Sequence, residues 1–116
     1  MESSEKAAIY RMHAEFCKTL SDANRLLIIS ELSIGEVSVN ELARRLELRQ
    51  SNVSKHLAVM RERGLVMTRR EGATIYYSLS DARISQAIRL LRDVQADQIE
   101  KQRVLTHGMP EFSTGK

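Results

Sequence analysis

The sequence has a single cysteine, a single proline and no long apolar run, and each shortage excludes a class of protein. One cysteine cannot form a disulfide within the chain, and a zinc finger built on several cysteines is excluded. The only proline is Pro110, so no proline interrupts a helix before it. The longest aliphatic run, residues 26–29, is too short to cross a bilayer. The first residues lack the pattern of a secretion signal, so we expect a cytoplasmic protein without a membrane partner.

The composition is that of an ordinary globular protein, but the charged residues are unevenly distributed along the chain. Its 116 residues, 42% of them hydrophobic and 28% charged, suit one domain with a hydrophobic core. The net charge is +3, but residues 44–70 carry eight basic and two acidic side chains, which is +6 and leaves −3 for the remainder. A basic middle between acidic flanks is typical of a protein that binds a polyanion, although a solvated helical surface has the same composition.

Apolar spacing predicts two helices in the first third of the chain. Ser21 and Asp22 have side chains typical of a helix N-cap, and they open the second helix, which runs to about Leu32. Its middle is nearly all apolar, so we expect it to be the most buried helix. The first helix carries one face with residues at four-three-four spacing: Ile9, His13, Phe16 and Leu20.

The middle of the chain has the pattern of a helix-turn-helix. Ser38 and Glu41 have the spacing of a capping box at the start of a short amphipathic helix. A break over residues 47–50 separates it from a second helix at about residues 51–63, and Gly64 occupies the left-handed position after its last turn. Two helices joined by such a break are typical of DNA-binding units. The residues expected to face inward on the second helix are Val53, Leu57 and Met60.

After Gly64 the apolar period changes from that of a helix to that of a strand. Residues 66–70 and 74–79 are expected to pair as a hairpin, with Gly72 in the turn. Ser80 and Asp81 then have N-cap chemistry for a long final helix. One face of this helix carries an apolar seam of Ile84, Ile88, Leu91 and Leu105. Three glutamines interrupt the seam before Leu105 and weaken it: Gln95, Gln98 and Gln102.

The predicted fold is therefore mainly α with a small β component. Its order is α-α-α-α-β-β-α, a winged helix-turn-helix. One domain is expected over residues 1–106, with dimerisation helices at both ends, and a flexible tail over residues 107–116.

The second helix of the pair carries a small, polar face opposite its apolar stripe. Side chains such as Gln50 and Lys55 can pair with base edges in a major groove, whereas a surface helix of purely structural role more often carries Glu–Lys pairs. The hairpin places two arginines near its tip, where they can reach phosphate or the minor groove. The candidate DNA-binding residues are Gln50, Ser51, Asn52, Ser54, Lys55, His56, Arg61, Arg69 and Arg70.

The chain resembles the ArsR/SmtB family of bacterial and archaeal repressors in the stretch NELARRLELRQSNVSKHLAVMRERGLVMTRREGATIYYSLSD and in the preceding LSDANRLLIISEL. The resemblance covers residues 16–94, and its most specific part is VSKHLAVMRERGLV followed by the Tyr-Tyr hairpin. It implies a homodimeric winged-helix protein that binds operator DNA and releases it when an inducer binds. Arg49 departs from the family pattern, which usually has serine or a similar cap there.

The first and last helices carry apolar stripes outside the helix-turn-helix. Packing them against a second copy would bury both stripes. Such a homodimer sets two recognition helices about one DNA turn, ~34 Å, apart and requires an inverted-repeat operator. The alternative is that these helices only complete the core of the monomer.

Neither of the two metal sites usual in the family is complete in this sequence, although Asp81 of the second site remains. Where thiolate sites of the family have a Cys-x-Cys-Asp-Leu-Cys pattern, this chain reads SVNELA. In the site of the last helix, Arg83 stands where a histidine is expected. We therefore expect no cofactor, although a metal ion stays possible. His13 and Cys17 share a helix face and are candidate ligands across a dimer axis, or else an ordinary histidine beside a buried cysteine.

The sequence thus predicts a sequence-specific regulator of transcription, a repressor that binds double-stranded DNA as a homodimer. The inducer is unknown, and a redox role of Cys17, an organic inducer and no inducer at all stay open. The alternative function is a winged-helix module that docks on transcription machinery instead of reading DNA. No glycine-rich phosphate loop, nucleophile elbow or paired-carboxylate pattern occurs in the sequence, so we expect no enzyme.

Overall fold

A computed structural model describes residues 2–107, which fall into two compact units. The second unit begins at Arg83 and consists of helix α5 (Arg83–His107) in its described part. The first unit ends at Ala82. Its elements are α1 (Ser3–Leu20), α2 (Ala23–Leu32), β1 (Val37–Ser38), α3 (Val39–Leu46), α4 (Gln50–Glu62), β2 (Val66–Glu71) and β3 (Thr74–Leu79).

The predicted winged helix-turn-helix is confirmed, with one additional strand. The strand β1 precedes α3 and makes the sheet three-stranded, in the order β1-β3-β2. A strand of two residues is too short to show the alternation of apolar and polar side chains by which strands are recognised, so the sequence pattern does not indicate β1. The flexible tail predicted for residues 107–116 lies outside the described residues except for residue 107, where α5 ends. The single domain over residues 1–106 stays a prediction.

The hairpin of β2 and β3 forms the wing. Its antiparallel register runs from the pair Val66 and Leu79 at the base to the pair Glu71 and Thr74 at the tip. Gly72 opens the two-residue turn with a φ of 63°, which only glycine adopts without strain. The hairpin prediction is therefore confirmed.

The core lies where α4 packs against α2 and α3. Val53, Leu57 and Met60 of α4 are fully buried, as the spacing predicts. The other buried apolar residues come from α2, α3 and the base of the sheet: Ile28, Ile29, Leu32, Val37, Leu42, Ala43, Leu65 and Val66. α4 thus contributes one side to the core and exposes its opposite, polar side to solvent.

The apolar run in the middle of α2 is buried only in part. Ile28 and Ile29 are buried, but Leu26 and Leu27 are 37% and 46% exposed. Four consecutive helical residues are spread around the whole axis at about 100° per residue. A continuous apolar run therefore cannot face one neighbouring element with all its side chains.

The end of α4 is shaped by Gly64, which has a φ of 77° as predicted. The N–H groups of Gly64 and Leu65 donate to the carbonyls of Arg61 and Met60 at 3.0 and 2.8 Å, which is a Schellman arrangement. The hydroxyl of Ser80 donates to the Gly64 carbonyl at 2.7 Å. Ser80 therefore connects the end of the wing to the end of α4, and the predicted capping of α5 by Ser80 and Asp81 stays a prediction.

Replacing Leu57 with alanine tests the role of the buried stripe. The substitution empties a fully buried position and should lower the free energy of unfolding by about 2–5 kcal/mol. The control is Ser54→Ala on the exposed face of the same helix, which should change it by less than about 0.5 kcal/mol. Urea unfolding at a fixed protein concentration measures both variants, and equal effects would contradict the observed orientation of α4.

Candidate nucleic-acid interface

The outward face of α4 is exposed and polar along its length. Gln50, Ser51, Ser54 and Lys55 are exposed on its first half, and Asn52 is half-buried. Arg61 is exposed near its C-terminal end. Five of the nine predicted DNA-binding residues are therefore exposed on α4, and a sixth, Asn52, is half-buried on the same helix; the exposed five are Gln50, Ser51, Ser54, Lys55 and Arg61.

The turn between α3 and α4 places this face. Ser38 caps α3 by accepting the N–H of Glu41 at 3.3 Å, as predicted from the capping pattern. At the other end of α3, Glu47 adopts the left-handed conformation with a φ of 55°. The N–H of Leu48 then donates to the carbonyl of Ala43 at 3.0 Å and closes the turn. The chain thereby reverses within three residues before α4 begins at Gln50.

The N-terminus of α4 is positively polarised, and neither its cap residue nor its first turn supplies a negative charge. Arg49 is its N-cap residue, and its side chain makes no capping hydrogen bond. The first turn contains no acidic residue. The first N–H groups of a helix have no partner within the helix, and they carry a partial positive charge. An anionic group such as a phosphate can accept these hydrogen bonds.

Three of the eight basic residues in the 44–70 segment are paired within the protein. Arg44 and Arg45 both donate to the carboxylate of Glu41, and these bonds lower its pKa to about 2. Arg69 is the third paired base. The remaining five form no ion pair with any residue of the described chain: Arg49, Lys55, Arg61, Arg63 and Arg70. The unpaired cations thus flank α4 and the tip of the wing.

His56 lies at the edge of α4 and is held by α2. The Nε of Arg25 donates to the Nδ1 of His56 at 3.1 Å. A nitrogen of the same guanidinium donates to the carbonyl of Thr19 at 3.0 Å. The side chain of His56 is only 15% exposed. Its predicted DNA contact stays a prediction, and the structure gives it a contact within the protein.

Asp22 completes this arrangement at the start of α2. Its carboxylate accepts the N–H groups of Asn24 and Arg25 at 2.9 and 3.1 Å, which confirms the predicted cap. The Arg25 N–H, the nearby His56 ring and the Asn24 N–H hold the pKa of Asp22 below its usual value. The Nε2 of His56 lies 3.9 Å from this carboxylate. No local pattern predicts the link between Arg25 and His56, because 31 residues separate them.

The two arginines of the wing have different surroundings. Arg69 donates to Glu36 and Glu71, and its guanidinium lies 4.8 Å from the centre of the Tyr76 ring. Arg70 is exposed and has no such partner within residues 2–107. Sequence inspection does not single out Glu36, which is 33 residues from Arg69 and outside the basic segment.

The candidate metal ligands form an isolated pair. The Sγ of Cys17 and the Nε2 of His13 are 3.6 Å apart on α1. Among residues 2–107, no three side chains of His, Cys, Asp or Glu come together in a way that could hold a metal ion. The same part of the chain contains no helix with the length and apolar character needed to span a membrane.

Comparison with known proteins gives consistent matches. The family model for bacterial regulatory proteins of the arsR family matches residues 22–68. The chain is 46% identical over 74 residues to the transcriptional activator HlyU of Vibrio cholerae, covering 64% of this chain and 68% of that protein. It is 39% identical over 89 residues to a biofilm growth-associated repressor of Xylella fastidiosa, covering 77% of each.

A solved structure shares both the fold and part of the sequence. The homodimeric winged helix-turn-helix DNA-binding domain Mb0332 of Mycobacterium bovis superposes with a TM-score of 0.75 at 29% identity. The match covers 86% of this chain and 93% of that one. The chain belongs to the ArsR family. It is a DNA-binding regulator of transcription with a winged helix-turn-helix, and it is not an enzyme.

Replacing His56 with alanine separates a positioning role from a DNA contact. Loss of the acceptor for Arg25 should lower the free energy of unfolding by about 1–3 kcal/mol. The dependence of DNA binding on salt should keep its slope, because a ring that is bound to Arg25 of α2 makes no contact with a phosphate. Urea unfolding and fluorescence anisotropy at several salt concentrations measure the two effects. A slope reduced by about 0.9 would instead place His56 on a phosphate.

Proposed function

We propose that this ArsR-family regulator represses transcription by inserting the outward face of α4 into the major groove of operator DNA. One observation carries the proposal: the exposed polar face of α4 lies opposite its buried stripe and is flanked by unpaired cations. The relatives include a protein named as an activator and one named as a repressor. Repression is the simplest consequence of covering an operator, and we adopt it for this chain.

Different residues of the interface have different roles in this proposal. Gln50, Ser51 and Ser54 on the first half of α4 read base edges, since amide and hydroxyl groups match the donors and acceptors of the major groove, and Lys55 beside them neutralises a phosphate. Asn52 lies beside them and contributes to the same contact. Arg49, Arg61 and the first N–H groups of α4 bind phosphates and fix the position of the helix.

We further propose that the protein acts as a homodimer on an inverted repeat. Its apolar side chains support this, because those of α1 and α5 are exposed in the single chain. They include Ile9, Tyr10, Met12 and Phe16 of α1, and Leu90, Leu91, Val94, Ile99, Val104 and Leu105 of α5. Large apolar surfaces of this kind are normally covered by a partner. Two copies would present two α4 helices to successive major grooves, about 34 Å apart.

The proposal includes release of DNA by an inducer, and it requires no cofactor. His13 and Cys17 are the candidate ligands if a metal has this role, since both side chains are donors and lie 3.6 Å apart. A protein that controls transcription must reach the chromosome, so we place it in the cytoplasm.

The competing function is a winged-helix module that docks on another protein. Docking on a protein surface makes no contacts with the phosphate backbone, whereas DNA binding releases counterions for every phosphate that is neutralised. The dependence of affinity on salt therefore distinguishes the two functions.

Replacing Lys55 with alanine tests the DNA-binding role of α4. The logarithm of the binding constant should fall steeply with the logarithm of salt concentration for the wild type, and the variant should reduce this slope by about 0.9. Lys6→Ala, on the exposed start of α1, removes the same charge away from α4 and should leave the slope unchanged. Fluorescence anisotropy with DNA from upstream of the regulator's own gene, and with random DNA, provides the measurement.

Two outcomes would contradict the proposed function. Equal slopes for Lys55→Ala and Lys6→Ala would show that α4 does not meet the DNA backbone. Failure of the wild type to distinguish its own upstream DNA from random DNA would remove the sequence-specific contact.

A further inference from the structure

Arg69 and Arg70 are neighbours on β2, but they lie on opposite faces of the wing because side chains alternate along a strand. Arg69 is directly opposite Tyr76 in the register, and Glu71 follows two positions later on the same face. Ser38 of β1 pairs with Tyr76 on the other side of β3. Glu36 lies two residues before Ser38 and so reaches the same face. The sheet therefore places one arginine and two carboxylates together, and it places Arg70 away from them.

The contacts of Arg69 are extensive. Its Nε and Nη2 donate to Oε1 of Glu36 at 3.1 and 2.6 Å, and its Nη1 donates to Glu71 at 2.8 Å. Three of the five N–H groups of the guanidinium are thus bound to carboxylates. One flat face of the guanidinium lies over the ring of Tyr76, at 4.8 Å from its centre. The group is held in a fixed position although about half of its surface is exposed.

The charges of this cluster sum to −1. Hydrogen bonding to Arg69 lowers the pKa of Glu36, and bonding to Glu36 and then Glu71 raises the pKa of Arg69, so the pair of Glu36 and Arg69 favours its charged forms. A phosphate that approaches Arg69 meets two carboxylates within hydrogen-bond distance of the same guanidinium. Arg70 has no acidic partner among residues 2–107, and it retains its full charge and all its donors.

We propose that Glu36 and Glu71 hold Arg69 away from the DNA backbone, so that the wing binds phosphate through Arg70 alone and more weakly than its two arginines would allow. This rests on the proposed function, in which the wing lies beside the operator. Phosphate contacts strengthen binding to every DNA sequence equally. Without the phosphate contact of Arg69, affinity for non-specific DNA is lower. A larger share of the affinity for the operator then comes from the contacts of α4 with the bases.

Replacing Glu36 with glutamine tests the proposal directly. The variant removes one carboxylate and releases the Nε and Nη2 donors of Arg69 from it, so affinity for random DNA in low salt should rise roughly two- to fivefold, the range of an exposed ion pair. The slope of affinity against salt should steepen by about 0.9, one additional phosphate contact. Glu15→Gln is the matched control, because it removes the same charge from the exposed surface of α1, and Glu15 forms no ion pair in the described part of the chain.

A double-mutant cycle shows whether the effect acts through Arg69. In a chain that also carries Arg69→Gln, the Glu36→Gln substitution should give no further gain. Arg69→Gln alone should leave the salt slope nearly unchanged, whereas Arg70→Gln should reduce it by about 0.9. Anisotropy titrations with random DNA provide all these values, and circular dichroism verifies that each variant is folded.

Four results would overturn the proposal. These are a gain for Glu36→Gln that persists without Arg69, an equal gain for Glu15→Gln, weaker binding of Glu36→Gln, and no change for Glu36→Gln. The first two would indicate general repulsion between acidic side chains and DNA, and the third would mean that Glu36 positions Arg69 on the DNA. If Lys55→Ala changes the salt slope while Glu36→Gln does not, the proposed restraint of Arg69 is wrong, but the proposed DNA binding by α4 is still supported.

Discussion

Burial of one stripe of α4 is the constraint on which the rest of the interface depends. Val53, Leu57 and Met60 are fully buried against α2 and α3, and the helical repeat then turns the opposite side chains outward. A short polar helix of this composition has little stability by itself, so the packing of its apolar side holds the polar side in place. The rigid core and the DNA-reading surface are consequently two sides of one element.

The net charge of the basic segment does not show which of its cations can bind DNA. The segment 44–70 carries +6, yet Arg44, Arg45 and Arg69 are paired with carboxylates of the same chain. The unpaired cations lie around α4 and at Arg70. Paired arginines on α3 support the helix that precedes the turn, while unpaired cations remain available to a polyanion. Position and pairing therefore decide which charges can contribute to binding.

Much of the fold could be predicted from the sequence because its signals are local. The apolar period, Gly64 and Gly72 predicted α4 and the wing to within one or two residues. The two-residue strand β1 and the exposed side chains of Leu26 and Leu27 were beyond such patterns, since they depend on which elements meet in three dimensions. The contacts of Arg25 with His56 and of Glu36 with Arg69 join residues more than 30 positions apart, and no spacing rule predicts them.

Hydrogen exchange of backbone amides, with and without operator DNA, tests the central role of α4 most directly. In the free protein the first N–H groups of α4, at Gln50 and Ser51, have no partner in the helix and should exchange rapidly. Bound DNA should slow exchange there and over the first two turns of α4, because phosphates accept these hydrogen bonds and the groove excludes water. Unchanged exchange in α4, together with protection at the exposed Leu26 and Leu27 of α2, would contradict the account.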